Sequence, residues 1–183
     1  MSETLANPID VLDFWWQAGA SKWFARDDNF DRKIRERFLT TIEAGQRGEL
    51  DAWADTAHGA LALILLLDQF TRNIFRNDRR AFEADALALS IAKESVARGY
   101  DKAFPKDVRA FFYFPFEHAE DMDAQQEGVD LFRKTDDRDF YLYALIHLDV
   151  IRRFGRFPHR NAVLGRETTP EEQAFLDDGG FSA

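Results

Sequence analysis

The sequence predicts an all-α protein, and three observations predict it. Apolar residues recur at steps of three and four along segment after segment. Helix-starting and helix-stopping residues stand at the ends of those segments, and no stretch alternates apolar and polar residues as a half-buried strand would. Taken in order, Asn7 followed by Pro8 is a capping side chain ahead of proline at the first helical position. Val11, Leu12, Trp15 and Trp16 then mark a first helix that stops near Gly19. Asp28 and Asp31 resemble an N-terminal capping pattern, and Ile34, Phe38 and Ile42 repeat every four residues, which places a second helix over roughly 29–44. From Leu50 the stripe Trp53, Ala57, Leu61, Ile64, Asp68, Thr71, Phe75 runs through a segment that Leu63, Leu65, Leu66 and Leu67 make apolar on its other faces too. Such a helix belongs in the middle of a molecule.

Ala84, Ala88, Ala92 and Val96 form a ridge of small side chains suited to close helix packing, with Gly99 as a C-terminal stop. The next segment starts near Lys106 or Asp107, passes Phe111, Phe112 and Tyr113, meets Pro115 and resumes to about Phe132, so a kink or two abutting helices are expected there. A helix over 139–154 ends at Gly155, Pro158 marks irregular chain, and Thr169-Pro170-Glu171-Glu172 opens a short last helix. Short polar loops join these elements, which favours antiparallel neighbours. The expected organisation is a single all-helical domain over 1–183, with 155–183 as a docked arginine-rich loop and short C-terminal helix.

Composition narrows the classes of function. The 183 residues carry 24 Lys+Arg against 33 Asp+Glu, a net charge of −9, which disfavours nonspecific binding to the phosphates of nucleic acid. The longest apolar run, Ala60 to Leu67, falls well short of the ~20 residues of a membrane-spanning helix. Without cysteine there is no disulfide, thiol nucleophile or thiolate metal site, and the N-terminus lacks the basic and apolar stretches of a secretory signal, so a cytoplasmic protein is expected. Phosphate-binding glycine loops, dinucleotide fingerprints, nucleophile elbows and His-Glu-x-x-His are all missing. Glu117, His118, Glu120 and Asp121 are metal-ligand residue types, but their spacing specifies no site, and neither a metal nor a cofactor is expected.

Three stripes nevertheless place a polar residue where an apolar one belongs: Asp68 between Ile64 and Phe75, His118 between Phe114 and Met122, and His147 among Phe140, Ala144, Ile151 and Phe154. Buried without partners these groups would cost several kcal/mol each, so they pair with one another, with arginines or with a ligand. Arg72 is the nearest partner for Asp68, and Gln69 can reach Asn73. Each residue taken singly reads as a helix-pinning tie; together, the three suggest one shared polar cavity with Arg72 and an arginine from 153–160. A second feature is a basic island. From His147 to Arg166 the chain has five arginines against Asp149 alone, a net +4 within an acidic protein. Its core, Phe154-Gly155-Arg156-Phe157-Pro158-His159-Arg160-Asn161, has the guanidinium forks and glycine-freed amides of an anion-binding loop. The competing reading ties these arginines to acidic helices such as the one with Glu117, Glu120, Asp121 and Asp123.

Three long motifs carry a family resemblance: Leu65-Leu66-Leu67-Asp68-Gln69-Phe70-Thr71-Arg72-Asn73-Ile74-Phe75-Arg76, Pro115-Phe116-Glu117-His118-Ala119-Glu120, and His147 leading through Phe154 to Asn161 and Leu164-Gly165-Arg166. From about Ile9 to Phe181 the chain resembles the bacterial domain-of-unknown-function family 924. The resemblance implies antiparallel helix pairs stacked in a right-handed superhelical bundle similar to tetratricopeptide repeats, and it brings no activity to carry over. Thr71 stands where the family pattern leads one to expect proline. Two functional classes follow. One is a binding module that captures an anionic small molecule or peptide in a groove lined by Arg72, Asn73, Arg76, Arg153, Arg156, His159, Arg160 and Asn161. The other is a hydrolase-type enzyme with His118 or His147 as general base beside Asp68 or Glu117. A purely structural protein is the third possibility, and oligomeric state is not readable from the chain.

Overall fold

The computed structural model describes residues 5–181, whose regular secondary structure is helical with no strand among them; no described helix is long and apolar enough to cross a membrane. The chain divides between Phe104 and Pro105 into two compact units.

In the first unit, α1 (Pro8–Ala18) begins as its sequence dictates. Asn7 Oδ1 accepts from the amides of Ile9 and Asp10 at 2.9 and 3.1 Å, and Asp10 Oδ2 accepts from the Asn7 amide at 3.0 Å. Its buried face is Val11, Leu12 and Trp15. The second helix, α2 (Asp28–Gln46), is capped by Asp27 instead of Asp28: Asp27 Oδ1 takes the amides of Asn29 and Phe30 at 3.0 and 3.1 Å. Three acids in five residues left that choice open. Phe30, Ile34, Phe38 and Ile42 form the buried stripe.

The leucine-rich element is the unit's centre, with every residue from Ala60 to Phe70 buried. It consists of α3 (Ala57–Ile64), a π-helical turn over Leu65–Phe70 and a closing α-helical turn over Thr71–Ile74. A π turn loosens the backbone hydrogen-bond ladder. Side chains reinforce it here: the Thr71 hydroxyl donates to Leu67 O at 2.8 Å and Arg72 Nη1 donates to Asp68 O at 2.8 Å. Gly59 is required at the start of this element, since a Cβ there would lie 2.2 Å from Trp53 O. Then α4 (Asp85–Ala97) lays Ala84, Ala88 and Ala92, all buried, along the packed ridge and stops at Gly99, whose φ is 73°.

The second unit opens with tight turns through Ala110–Phe112 and Phe114–Glu117, the latter carrying Pro115 in its first turn. The helical path breaks at His118–Asp121, three residues beyond the proline, and Asp121 caps α5 (Met122–Phe132) through the Ala124 amide at 2.8 Å. Phe111, Phe112, Phe114 and Phe116 are all buried. Against α5 packs α6 (Arg138–Phe154), capped by Asp137 and stopped by Gly155 at φ 69°. Two short turns, Pro158–Arg160 and Asn161–Leu164, lead to α7 (Pro170–Asp177), which starts with a Thr169/Glu172 capping box. Val150, Ile151 and Phe157 make a small core there, with Phe154, Phe175 and Phe181 against it.

Candidate functional site

Asp68 and Arg72 meet in the first unit, as their spacing allows. Asp68 is fully buried; its Oδ1 lies 3.3 Å from Arg72 Nη1, and its Oδ2 accepts from Gln69 Nε2 at 2.7 Å. The stronger partner of Arg72 is Asp85, thirteen residues on, which both terminal nitrogens engage at 2.9 Å. Burial opposes the charge of this guanidinium, but Asp85 and Asp68 outweigh burial and raise its pKa. Gln69 therefore does not serve Asn73. Asn73 Nδ2 donates to Asp31 Oδ1 at 2.8 Å, and Arg76 takes the same carboxylate with Nε at 2.7 Å and Nη2 at 3.3 Å. These are two-pronged ties from the π-turn element to α4 and α2, and they cancel the arginine charges within the unit.

In the second unit Glu117, His118, His147, His159 and Arg160 come together. His147 Nδ1 lies 2.8 Å from Tyr143 O and 3.0 Å from Glu117 Oε1, so that nitrogen carries the hydrogen and Nε2 carries the lone pair. The ring sits 6.2 Å from His118, 5.5 Å from Phe157 and 4.2 Å from Phe181, centroid to centroid. Burial, helped by His118, Arg160 and His159, pushes its pKa down to about 3. Burial and Arg160 push His159 down to about 4. Both imidazoles are thus neutral at pH 7. Arg160, 6% exposed, lies over the Phe157 ring and donates to His118 O at 3.1 Å. Gln125 Nε2 fixes the same turn by donating to Glu117 O at 2.6 Å and Ala119 O at 2.8 Å. Asp68 and Arg72 belong to the first unit and these groups to the second.

The rest of the basic island forms ties with a cleft between them. Arg156 grips Glu172 with Nε at 2.6 Å and Nη2 at 2.8 Å, and Nη2 also donates to Glu167 O at 2.8 Å. Glu172 additionally accepts from Asn161 Nδ2 at 3.1 Å and the Thr169 amide at 2.9 Å, and the Arg156 bond first of all drops its pKa to about 2. Arg166 takes Glu120 with both terminal nitrogens at 2.6 and 3.0 Å, Phe157 O at 3.1 Å and Asn161 Oδ1 at 2.9 Å. Burial would raise the Glu120 pKa, but Arg166 and the Phe157 amide hold it below the usual range. Arg153 is different: half its side chain is in solvent, lying over the rings of Phe154 and Phe175 at 4.8 and 4.7 Å.

Arg156, Arg166, Glu167, Thr168, Thr169 and Pro170 line an open cleft of about 550 Å³. Nη1 of Arg156 makes no hydrogen bond to any described residue, and neither the Glu167 carboxylate nor the hydroxyl hydrogens of Thr168 and Thr169 are committed there. The carboxylates Asp31, Asp85 and Glu172, the ring of Phe181 and these two threonines were not singled out from sequence as site residues. Glu172 was within reach, because Thr-Pro-Glu-Glu specifies a capping box whose acid points back at the turn.

What the fold and these clusters define, among the described residues, is an all-α protein with arginine networks neutralised inside each unit and an open cleft beside Arg156. The chain belongs to the family described as bacterial protein of unknown function (DUF924), whose model matches residues 11–180. Its fold is similar to that of a solved protein of unknown function from Agrobacterium tumefaciens, at 47% identity and a TM-score of 0.91, over 94% of this chain and 97% of that one. No curated protein matches the chain.

Proposed function

We propose that the protein is a binding module that captures an anionic group of a small molecule or peptide in the cleft of its second unit. The observation that carries this reading is the unused Nη1 edge of Arg156 on the wall of a cleft of about 550 Å³, a size that suits a small ligand. The two threonine hydroxyls add neutral donors beside it. The remaining nitrogens of Arg156 are held by Glu172 and Glu167 O, so the guanidinium is pre-oriented and loses little freedom when a ligand arrives. Of the residues expected to line a groove, Arg72, Asn73, Arg76 and Asn161 are occupied as structural ties, which moves the weight of the proposal onto Arg156.

Acetate is the simplest probe. At ten times its dissociation constant it should raise unfolding stability by about 1.4 kcal/mol over chloride of equal ionic strength, because it binds only the folded state. Arg156→Lys keeps a cation for Glu172 while removing the second guanidinium edge, and Thr168→Val removes a hydroxyl without touching that pair. The acetate increment, read from urea midpoints, should shrink in both. An increment of the same size in both variants would overturn the proposal.

A second reading, the hydrolase-type enzyme, is favoured by one observation: the buried Glu117 carboxylate lies 3.0 Å from His147 Nδ1, close to the arrangement by which a carboxylate orients a general base. The Phe181 ring packed on His147 would have to yield before substrate could reach it.

A further inference from the structure

We infer that the cleft lined by Arg156, Glu167, Thr168 and Thr169 takes a small zwitterion of the amino-acid type, its carboxylate on Arg156 Nη1 and the hydroxyls and its ammonium on Glu167. The inference rests on the proposed binding role of that cleft and names its ligand class.

Charge decides against a phosphate-like ligand. The groups at and behind the cleft wall are Arg156 and Arg166 against Glu120, Glu167 and Glu172. Both cations are already matched by the two-pronged bonds to Glu172 and Glu120. Neither cation therefore has a full charge left over to hold a dianion. The start of α7 offers no remedy. Its capping box consumes the Thr169 amide in a bond to Glu172 Oε2 and the Glu172 amide in a bond to Thr169 Oγ1, and Pro170 has no N–H. Of the backbone amides that would cradle a phosphate at an uncapped helix start, that leaves the Glu171 N–H alone.

What remains uncommitted has two signs. On one side are the N–H groups of Arg156 Nη1 and the hydroxyl hydrogens of Thr168 and Thr169, which suit a single carboxylate. On the other is the exposed carboxylate of Glu167, a residue that lines the cleft and whose backbone oxygen accepts from Arg156 Nη2 at 2.8 Å. A ligand with only a carboxylate would satisfy the first set and leave Glu167 repelling it. A ligand that also carries an ammonium uses both sets and adds no net charge to the cleft.

The test is a titration of the full chain, followed by amide NMR shifts of 167–169, with glycine and glycylglycine as zwitterions and acetate and methylammonium as the separate halves. The better zwitterion should bind about fivefold more tightly than acetate, the return expected from one added solvent-exposed ion pair. In Glu167→Gln, a surface change checked for an unaltered urea midpoint, that advantage should vanish while acetate binding holds or improves. If acetate saturates but both zwitterions bind no more tightly, or if Glu167→Gln keeps their advantage, the ligand class is wrong and the binding role of the cleft stands. If neither acetate nor either zwitterion gives a saturable shift, the binding role and the ligand class fall together.

Discussion

Truncating Phe114 to alanine is expected to cost about 3–5 kcal/mol of stability, the range for removing a large aromatic side chain from a packed interior. The side chain is 6% exposed and its ring meets Phe111 and Phe132 at 5.5 Å, Phe140 at 5.4 Å and His118 at 6.0 Å. Those neighbours come from the turn before it, from α5 and from α6, so the space left by the ring has rigid walls on several sides and collapses poorly. Replacement by leucine, which refills part of the volume, should recover a good share of the loss. The measurement is the urea midpoint of each variant at constant slope. A midpoint shift near zero for alanine would mean that the phenylalanine cluster is not the core of the second unit.

Acidification from pH 7 to pH 5 is expected to destabilise the protein through its buried histidines. With the folded pKa of His147 near 3 and of His159 near 4, both below the ordinary 6.5, the unfolded chain binds protons first as pH falls. Stability is complete above about pH 6.5 and declines toward the folded values, at about 1.4 kcal/mol per pH unit for each fully depressed group. Over pH 6.5 to 5 that amounts to about 2 kcal/mol for His147 and a smaller share for the half-buried His159. The depressed carboxylates do not confuse this window. Glu172, at about 2, and Glu120 contribute fully above the ordinary carboxylate range and lose their contribution only below it. Urea unfolding of the wild type and His147→Gln at the two pH values checks the expectation: the variant should lose about 2 kcal/mol less than the wild type. Equal losses would show that His147 is not held neutral by burial.

Several helices were legible because their starts and stops are written in local chemistry. Asn7-Pro8, Thr169-Pro170 and Gly155 act through bonds that span four residues or fewer, and the structure places helix ends at all three. The π turn at Leu65–Phe70 was not legible, since a run apolar on every face has no phase from which an extra residue per turn could be noticed. The same limit governs the polar groups. Asp68 and Arg72 could be paired from i, i+4 spacing, whereas Asp85 and Asp31 reach their arginines only after α4 and α2 have packed. In the basic island the arginines stood out as unbalanced charge. The island's balance came from Glu120, far earlier in the chain, and from Glu172, six residues beyond the stretch counted. What stayed hidden was therefore which guanidinium edge is left over, a property of the assembled unit rather than of any stretch of sequence.

The central claim, that Arg156 presents its spare edge to a ligand carboxylate, is tested most directly by a crystal structure of the protein grown with glycylglycine. The account predicts the peptide carboxylate within hydrogen-bond distance of Arg156 Nη1 and at least one of the hydroxyls of Thr168 and Thr169, with the bonds from Arg156 to Glu172 undisturbed. A peptide bound elsewhere on the chain, with the Arg156 edge facing only solvent, would contradict it.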